Sequence, residues 1–583
     1  MNSGFAHSGR ECRWQPWLAS LGLAGLVFLA FGGSLTCGFV HYDDDLYVFQ
    51  NPPVQGGLSW AGARWAFTTG HASNWHPLTW LSHMADVEWY GMAPAGHHLT
   101  SLLLHALNTI LLFMVLHRLS GRQGLAWLTA ALWAVHPLRT ESVVWIAERK
   151  DVLAMFFGLL AMWTYGRDRS RGRMAWMALA YALSLLSKPT WVTLPLLLLL
   201  LDGWPLKRWP GTTVRKLVCE KWLLILLAAG SCVVTYLVQR QGGAVQTFER
   251  YPLEMRVANA GLAVVHYLRT LFWPVRLTFF YPHPGTSVDP VSAWGAFAVL
   301  LILTMLAAGL MRRQPWWLTG WLWFLGTLVP MIGLVQVGGQ AQADRYTYLS
   351  HIGLILALVW GADQALGPGH RSRLRWLATA GAGGMILVLV LLSRRQTATW
   401  RDSETLFRHA LAVQEANAVA HGNLGSWLAT QGRADEARRH LERSLEIQPR
   451  FNEAHLNLGN LELQQGRSEE ALAQYRAMEK DFPQHVQSLN NVAWLLSSAP
   501  GADPSRTQEA LAYARRAVAA SRTPGASLLD TLAVAFAANG DFPAAITTGM
   551  EARHQAAEEG NPGLIRAIDA HLADWRLKTT RKP

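Results

Sequence analysis

Residues Trp17 to Gly38 read WLASLGLAGLVFLAFGGSLTCG, and the chain continues directly into Phe39-Val40-His41-Tyr42-Asp43-Asp44-Asp45. The apolar stretch is long enough to cross a bilayer once. Three adjacent acids at its exit repel one another and are costly near low dielectric. A chain that keeps them there uses them on a proton, a metal or a positively charged partner, unless they simply form a solvated loop flanking a helix.

The rest of the chain extends this reading. Of 583 residues, 51% are hydrophobic and only 15% charged, which marks a polytopic membrane protein with a soluble part. Further apolar segments cover 99–117, 124–138, 151–166, 174–187, 190–204, 222–238, 293–311, 316–335, 348–366 and 376–393. With 17–37 they predict about eleven transmembrane helices, some of them short enough to need tilt or packing. Basic residues cluster at Arg118/Arg122, Arg167/Arg169/Arg171/Arg173, Lys207/Arg208/Arg215/Lys216, Arg312/Arg313 and Arg371/Arg373/Arg375. All five clusters become cytoplasmic if the N-terminus is inside and 256–276, which carries Arg256, His266, Arg269 and Arg276, lies at the interface instead of crossing. Asp43 to Asp45 and everything after about residue 394 then lie outside, with Arg394 and Arg395 against the rule.

These loops account for most of the net charge of +12, so nucleic-acid binding is not inferred from it. Cys12, Cys37, Cys219 and Cys232 form neither a disulfide framework nor a CxxC metal signature. The N-terminal segment lacks a small-x-small cleavage site and reads as a retained helix.

From about residue 400 the hydropathy falls and a tetratricopeptide period appears. Leu424-Gly425, Ala437, Leu441 and Pro449 recur as Leu458-Gly459, Ala471, Tyr475 and Pro483. A third copy carries Val492-Ala493, Ala510 and Ala517 around an inserted loop, 499–505, and a fourth carries Leu532-Ala533, Ala545 and Ala552. Residues 402–416 read as an unpaired leading helix. The expected division is a membrane domain over 1–397 and a repeat domain over 398–583, whose concave face suits an extended peptide or a partner helix.

Polar strings recur on the outer side. They include Asn51-Pro52, an aromatic amphipathic stretch with Trp60, Trp65 and Phe67, Asn74-Trp75-His76-Pro77, His136-Pro137-Leu138-Arg139-Thr140-Glu141-Ser142 and Ala147-Glu148-Arg149-Lys150-Asp151. Ser187-Lys188-Pro189 and Ala343-Asp344-Arg345-Tyr346-Thr347-Tyr348 follow. Acids on one loop with Arg and Lys on several others suggest an acidic centre facing a basic wall that could hold a phosphate; each basic residue taken singly is equally an interfacial snorkel. His71, His76, His83, His97, His98 and His105 contain no HExxH pair, so no zinc site is expected, and His98 with His105 reads as a packed helix face. Neither a serine nucleophile elbow nor a GxxxxGK[ST] phosphate loop is present.

These strings resemble a known group, the GT-C membrane glycosyltransferases, in the branch that joins a protein O-mannosyltransferase-like membrane domain to tetratricopeptide repeats. The matching residues are Tyr42-Asp43-Asp44 with Tyr47-Val48 and Asn51-Pro52; Asn74 through His83; Gly96-His97-His98; His136-Pro137 with Glu141-Ser142 and 147–151; Lys188-Pro189; and Asp344-Arg345-Tyr346 with Tyr348-Leu349. The resemblance implies an all-α fold, a GT-C-like helical bundle followed by an α-solenoid. It implies inverting transfer of a sugar, mannose by default, from a polyprenyl-phosphate donor to a hydroxyl on the outer face, with a protein or peptide acceptor recruited through the repeats. The family's catalytic acid pair falls on Asp43 and Asp44. Asp45 stands where relatives often have Pro, which leaves open which carboxylate is the base. Substrate binding falls on His76, Glu148, Arg149, Lys150, Lys188, Asp344, Arg345 and Tyr346.

A positioned carboxylate would accept the acceptor's proton, and Arg149, Lys150, Lys188 and Arg345 would stabilise the departing lipid phosphate. A phosphate leaves readily, so no metal is obligatory, although the Asp triplet could hold a divalent ion. The expected location is a bacterial inner membrane, with the site and the repeats extracytoplasmic. Two alternatives are a polymerase or ligase for lipid-linked oligosaccharides and a non-enzymatic repeat scaffold.

Overall fold

The computed structural model describes residues 15–166, 170–367, 372–499, 503–521 and 523–580. Arg167, Arg169 and Arg371 of the basic clusters, Cys12, and 500–502 of the inserted repeat loop lie outside the described residues. Among the described residues the fold is all-α apart from one short antiparallel pair, Tyr281–Pro282 with Gln340–Gln342, and an isolated antiparallel bridge between Val245 and Val337.

Among the described residues six helices are long and apolar enough to cross a membrane: Pro16–Thr36, Pro94–Ser120, Trp222–Gln241, Pro290–Leu310, Asp344–Leu366 and Arg373–Ala398. The expected eleven are therefore not reached by length. The other five segments form the shorter helices Gln123–Ala134, Arg149–Thr164, Arg171–Ser187, Pro189–Gly203 and Pro315–Leu328. Proline and polar strings cut them short: Pro137 and Pro189 cannot continue a preceding helix. A helix of 15 residues rises only about 23 Å, against a hydrocarbon core of about 30 Å. The segment placed at the interface forms the helix Leu253–Phe272 and is not among the six. Its Arg256 is buried, donating from Nε to Tyr251 O at 2.7 Å and from Nη2 to Gln246 O at 2.9 Å.

The chain divides into two compact units, 1–415 and 416–583. The first has an aromatic core in which Trp80, Trp133, Trp145, Trp191 and Trp323 are fully buried. It includes the helix Ser403–Val413, assigned to the repeats on sequence. Ser403 Oγ accepts the His41 N–H at 2.9 Å, Arg401 O accepts the Gly38 N–H at 2.9 Å, and the Phe407 ring lies 5.6 Å from Phe279. That helix thus closes over the loop that carries the Asp triplet.

The second unit consists of four helix pairs, Ala418–Thr430 with Ala434–Ile447, Asn452–Gln464 with Ser468–Glu479, Val486–Ser498 with Pro504–Ala520 and Ala526–Ala538 with Phe542–Glu558, then Pro562–Thr580. The repeat glycines permit close helix approach: a Cβ at Gly425 would meet Leu441 Cγ at 2.7 Å, and one at Gly459 would meet Tyr475 Cε1 at 2.5 Å.

Candidate active site

After Pro16–Thr36 the chain turns sharply through Asp43, whose φ of +63° lies in the left-handed region that Asp tolerates better than most residues. The turn gives the three acids different environments. Asp44 is 1% exposed; its Oδ2 accepts the Val40 N–H at 2.9 Å and its Oδ1 the Ala147 N–H at 2.8 Å. Burial pushes its carboxyl up to about 8, against the pull of those two N–H donors. Asp44 is thus a staple between the loop after Pro16–Thr36 and the turn before Glu148. The Asp43 carboxylate is partly exposed and makes no hydrogen bond or ion pair among the described residues. Burial raises it above its usual range, Lys150 and Arg345 draw it back, and Glu148 and Asp45 oppose them. Asp45 opens a short turn, Asp45–Phe49, and is also partly exposed.

The cations converge on Glu148, at the end of the turn Ile146–Glu148. Its Oε1 lies 3.1 Å from Lys150 Nζ and 3.3 Å from Arg345 Nε, and its Oε2 lies 2.8 Å from Lys188 Nζ. Burial alone would raise Glu148, but Lys150, Lys188 and Arg345 outweigh it and hold the carboxyl well below the ordinary range. Lys188, between the helices Arg171–Ser187 and Pro189–Gly203, also pairs with Asp151 Oδ1 at 2.7 Å. Arg345 pairs with Glu141 through Nη1 at 2.9 Å, and its backbone N–H donates to the same carboxylate at 2.6 Å. The basic wall read from sequence is thus threaded with carboxylates. Aromatic faces complete it, with Lys150 Nζ 4.4 Å from the Tyr47 ring centroid and the Arg345 guanidinium 5.3 Å from both Trp145 and Tyr346. Trp145 in turn donates to Tyr42 O at 2.9 Å and stacks on the Tyr42 ring.

The remaining sequence-assigned residues divide. His76 is buried just before the helix Pro77–Tyr90, its Nδ1 without a hydrogen-bond partner among the described residues. Burial, then Lys150 and Lys188, hold it well below its usual range and so neutral. Asp344 is buried and accepts the Tyr281 hydroxyl at 3.0 Å, a contact set up by the strand pair. Tyr346 OH accepts from Gln340 Nε2 at 3.1 Å. Arg149 stands apart from Lys150. The helix Arg149–Thr164 begins there, and successive helical residues point about 100° apart. Arg149 donates from Nε to Ser101 Oγ at 2.8 Å, from Nη1 to Ser82 Oγ at 3.1 Å and from Nη2 to His97 O at 2.5 Å, and pairs with Asp86 at 2.7 Å. Fully buried and so engaged, it is a packing residue, not part of the cation cluster.

Glu141, Asp151, Tyr47 and Trp145 also belong to the cluster; the first three lie in the strings that carry the resemblance, which gave them no role, and Trp145 lies outside those strings.

The chain is similar to known proteins in two ways. A tetratricopeptide repeat family matches residues 423–486. Protein O-mannosyl-transferase TMTC1 of Homo sapiens is 27% identical over 506 residues, covering 76% of this chain and 56% of that protein. Protein O-mannosyl-transferase Tmtc1 of Drosophila melanogaster is 25% identical over 558 residues, covering 75% and 63%. Protein O-mannosyl-transferase TMTC4 of Homo sapiens is 25% identical over 498 residues, covering 73% and 66%. The chain thus spans little more than half to two thirds of the length of these relatives. Coverage of three quarters of the chain extends well beyond the unit 416–583 into the first unit.

Proposed function

We propose that this chain transfers mannose from a polyprenyl-phosphate donor to a protein Ser/Thr hydroxyl at the extracytoplasmic face of a membrane, with inversion and with Asp43 as general base. The observation that carries the proposal is the Asp43 carboxylate, without a hydrogen bond or ion pair among the described residues, drawn on by Lys150 and Arg345, two of the three cations gathered on Glu148. An alcohol is a poor nucleophile, and a positioned carboxylate that takes its proton contributes about 100- to 10,000-fold. Charge developing on the departing phosphate would be met by Lys150, Lys188 and Arg345. Lys188 and Arg345 are largely buried, with 14% and 11% of their side chains exposed, where a charge-assisted bond is stronger than in water.

The names of the curated relatives support the sugar and the acceptor class. The six apolar helices suit a lipid-linked donor, and the repeats suit a peptide acceptor. Asp44, each of whose oxygens accepts a backbone N–H, holds the loop in place in this reading, and the role of base goes to Asp43.

The deciding experiment incubates the purified full chain with polyprenyl-phosphate mannose and Ser/Thr peptides, with mass spectrometry for a gained hexose. Transfer by the wild type and none by Asp43→Asn supports the reading. Equal hexose gain in both overturns it.

A further inference from the structure

We propose that His83, Asp86 and His97 form a divalent-metal site, zinc by its donor set, in the turn between the helices Pro77–Tyr90 and Pro94–Ser120. His83 and Asp86 stand three residues apart on one face of the first helix, and His97 lies in the first turn of the second. Gly91, with φ +59°, reverses the chain between them, and Gly96 packs so closely on the Tyr90 ring that no Cβ fits. The three side chains offer ligand atoms that all lie within 4.8 Å of one another, and no other group of three or more His, Cys, Asp or Glu does so among the described residues.

Their partners are those of ligands. All three residues are fully buried, and neither ring nitrogen of His83 meets a hydrogen-bond partner among the described residues. His97 Nε2 lies 3.1 Å from Gly91 O; a carbonyl only accepts, so this nitrogen carries the hydrogen and Nδ1 presents a lone pair 3.6 Å from Asp86 Oδ2. A metal-binding histidine is oriented in this way, through the hydrogen bond of its other nitrogen. Asp86 is supported as a ligating carboxylate is, with Oδ1 accepting Thr100 Oγ1 at 2.7 Å and Oδ2 meeting Arg149 Nη2 at 2.7 Å. Two imidazoles and one carboxylate suit Zn²⁺ and disfavour Mg²⁺ and Ca²⁺, which take oxygen ligands.

Arg149 and the metal share one carboxylate, so the histidines provide most of the affinity. The shared carboxylate ties the site to the start of the helix Arg149–Thr164 and hence to Lys150. The site is a brace under the cation cluster and is independent of what that cluster transfers.

Metal content of the full chain, purified in lipid nanodiscs, loaded with zinc and then passed into metal-free buffer, tests this. The wild type should retain about one zinc per chain. His83→Gln and His97→Gln should each lose at least about nine-tenths of it, while His554→Gln, on an exposed repeat helix, retains it. X-ray absorption on the zinc-loaded wild type needs no variant to fold. It should show two imidazole nitrogens and a carboxylate oxygen at about 2.0–2.2 Å. A wild type that keeps no zinc, zinc that persists in folded His83→Gln and His97→Gln, or a ligand shell without imidazole overturns the proposal.

Discussion

Asp44 Oδ1 accepts the backbone N–H of Ala147 at 2.8 Å, tying the loop after Pro16–Thr36 to the turn that delivers Glu148. Because the other oxygen of Asp44 is taken by Val40, adjacent acids have different work, and substitution separates them. Asp43→Asn should lower transfer by at least about 100-fold without lowering the melting temperature. Asp44→Asn sets an amide NH₂ against a backbone N–H and should cost about 1–3 kcal/mol of stability. Differential melting beside transfer rates checks this; a destabilised Asp43→Asn with normal turnover reverses the assignment.

Acidity should move activity and stability in opposite directions through Asp43. Its folded-state carboxyl lies above the value of about 3.9 for an unfolded Asp, because burial disfavours the anion. Between the two values the folded chain holds the proton more tightly, so this group's contribution to stability falls as pH rises through the window. Transfer needs the ionised base and should rise over the same window. A rate profile with its acid limb above about pH 4, and a stability slope that disappears in Asp43→Asn, are the expected observations.

Lys188→Ala removes a partner from both Glu148 and Asp151, and Arg345→Ala removes one from both Glu148 and Glu141. Each should weaken use of the lipid donor by about 10- to 100-fold, equivalent to a lost charge-assisted bond of about 1.5–3 kcal/mol, and should also lower stability. Adding Glu148→Gln should restore part of the stability and none of the donor use. Donor KM and melting curves on the two single and two double variants measure both.

In the metal-free chain Arg149→Ala should destabilise the fold by about 3–5 kcal/mol, since it removes the guanidinium paired with the buried Asp86. Lys150→Ala should spare the fold by comparison and reduce transfer. Chemical denaturation of the two variants separates them, and the opposite pattern would put Arg149 back in the site.

A chain ending after Glu415 should insert, fold and transfer to a short soluble peptide, because the helix Ser403–Val413 packs within the first unit. One ending at Thr397 lacks Arg401, Ser403 and Phe407 and should lose activity through the loop at 38–45. Comparable turnover from both would remove that helix from the support of the site.

Local order was legible in the sequence because it rests on local rules. Apolar runs marked the spanning helices, and the Gly and Ala spacing marked the repeats, since only small residues permit the approach seen at Gly425 and Gly459. The polar strings indicated where ionisable groups would gather. Apolar content could not distinguish a helix long enough to span from a short one stopped by Pro137 or Pro189, so among the described residues six long apolar helices stand where about eleven crossings were read. Which of three adjacent acids is tied to backbone donors, why Arg149 and Lys150 part company, and how His83 meets His97 depend on helix phase and on partners far away in sequence. Asp44 reaches Ala147 across 103 positions and Arg345 reaches Glu141 across 204. Such contacts form only when the fold closes and water leaves, because burial, which sets each group's charge, is a property of the packed structure and not of the string.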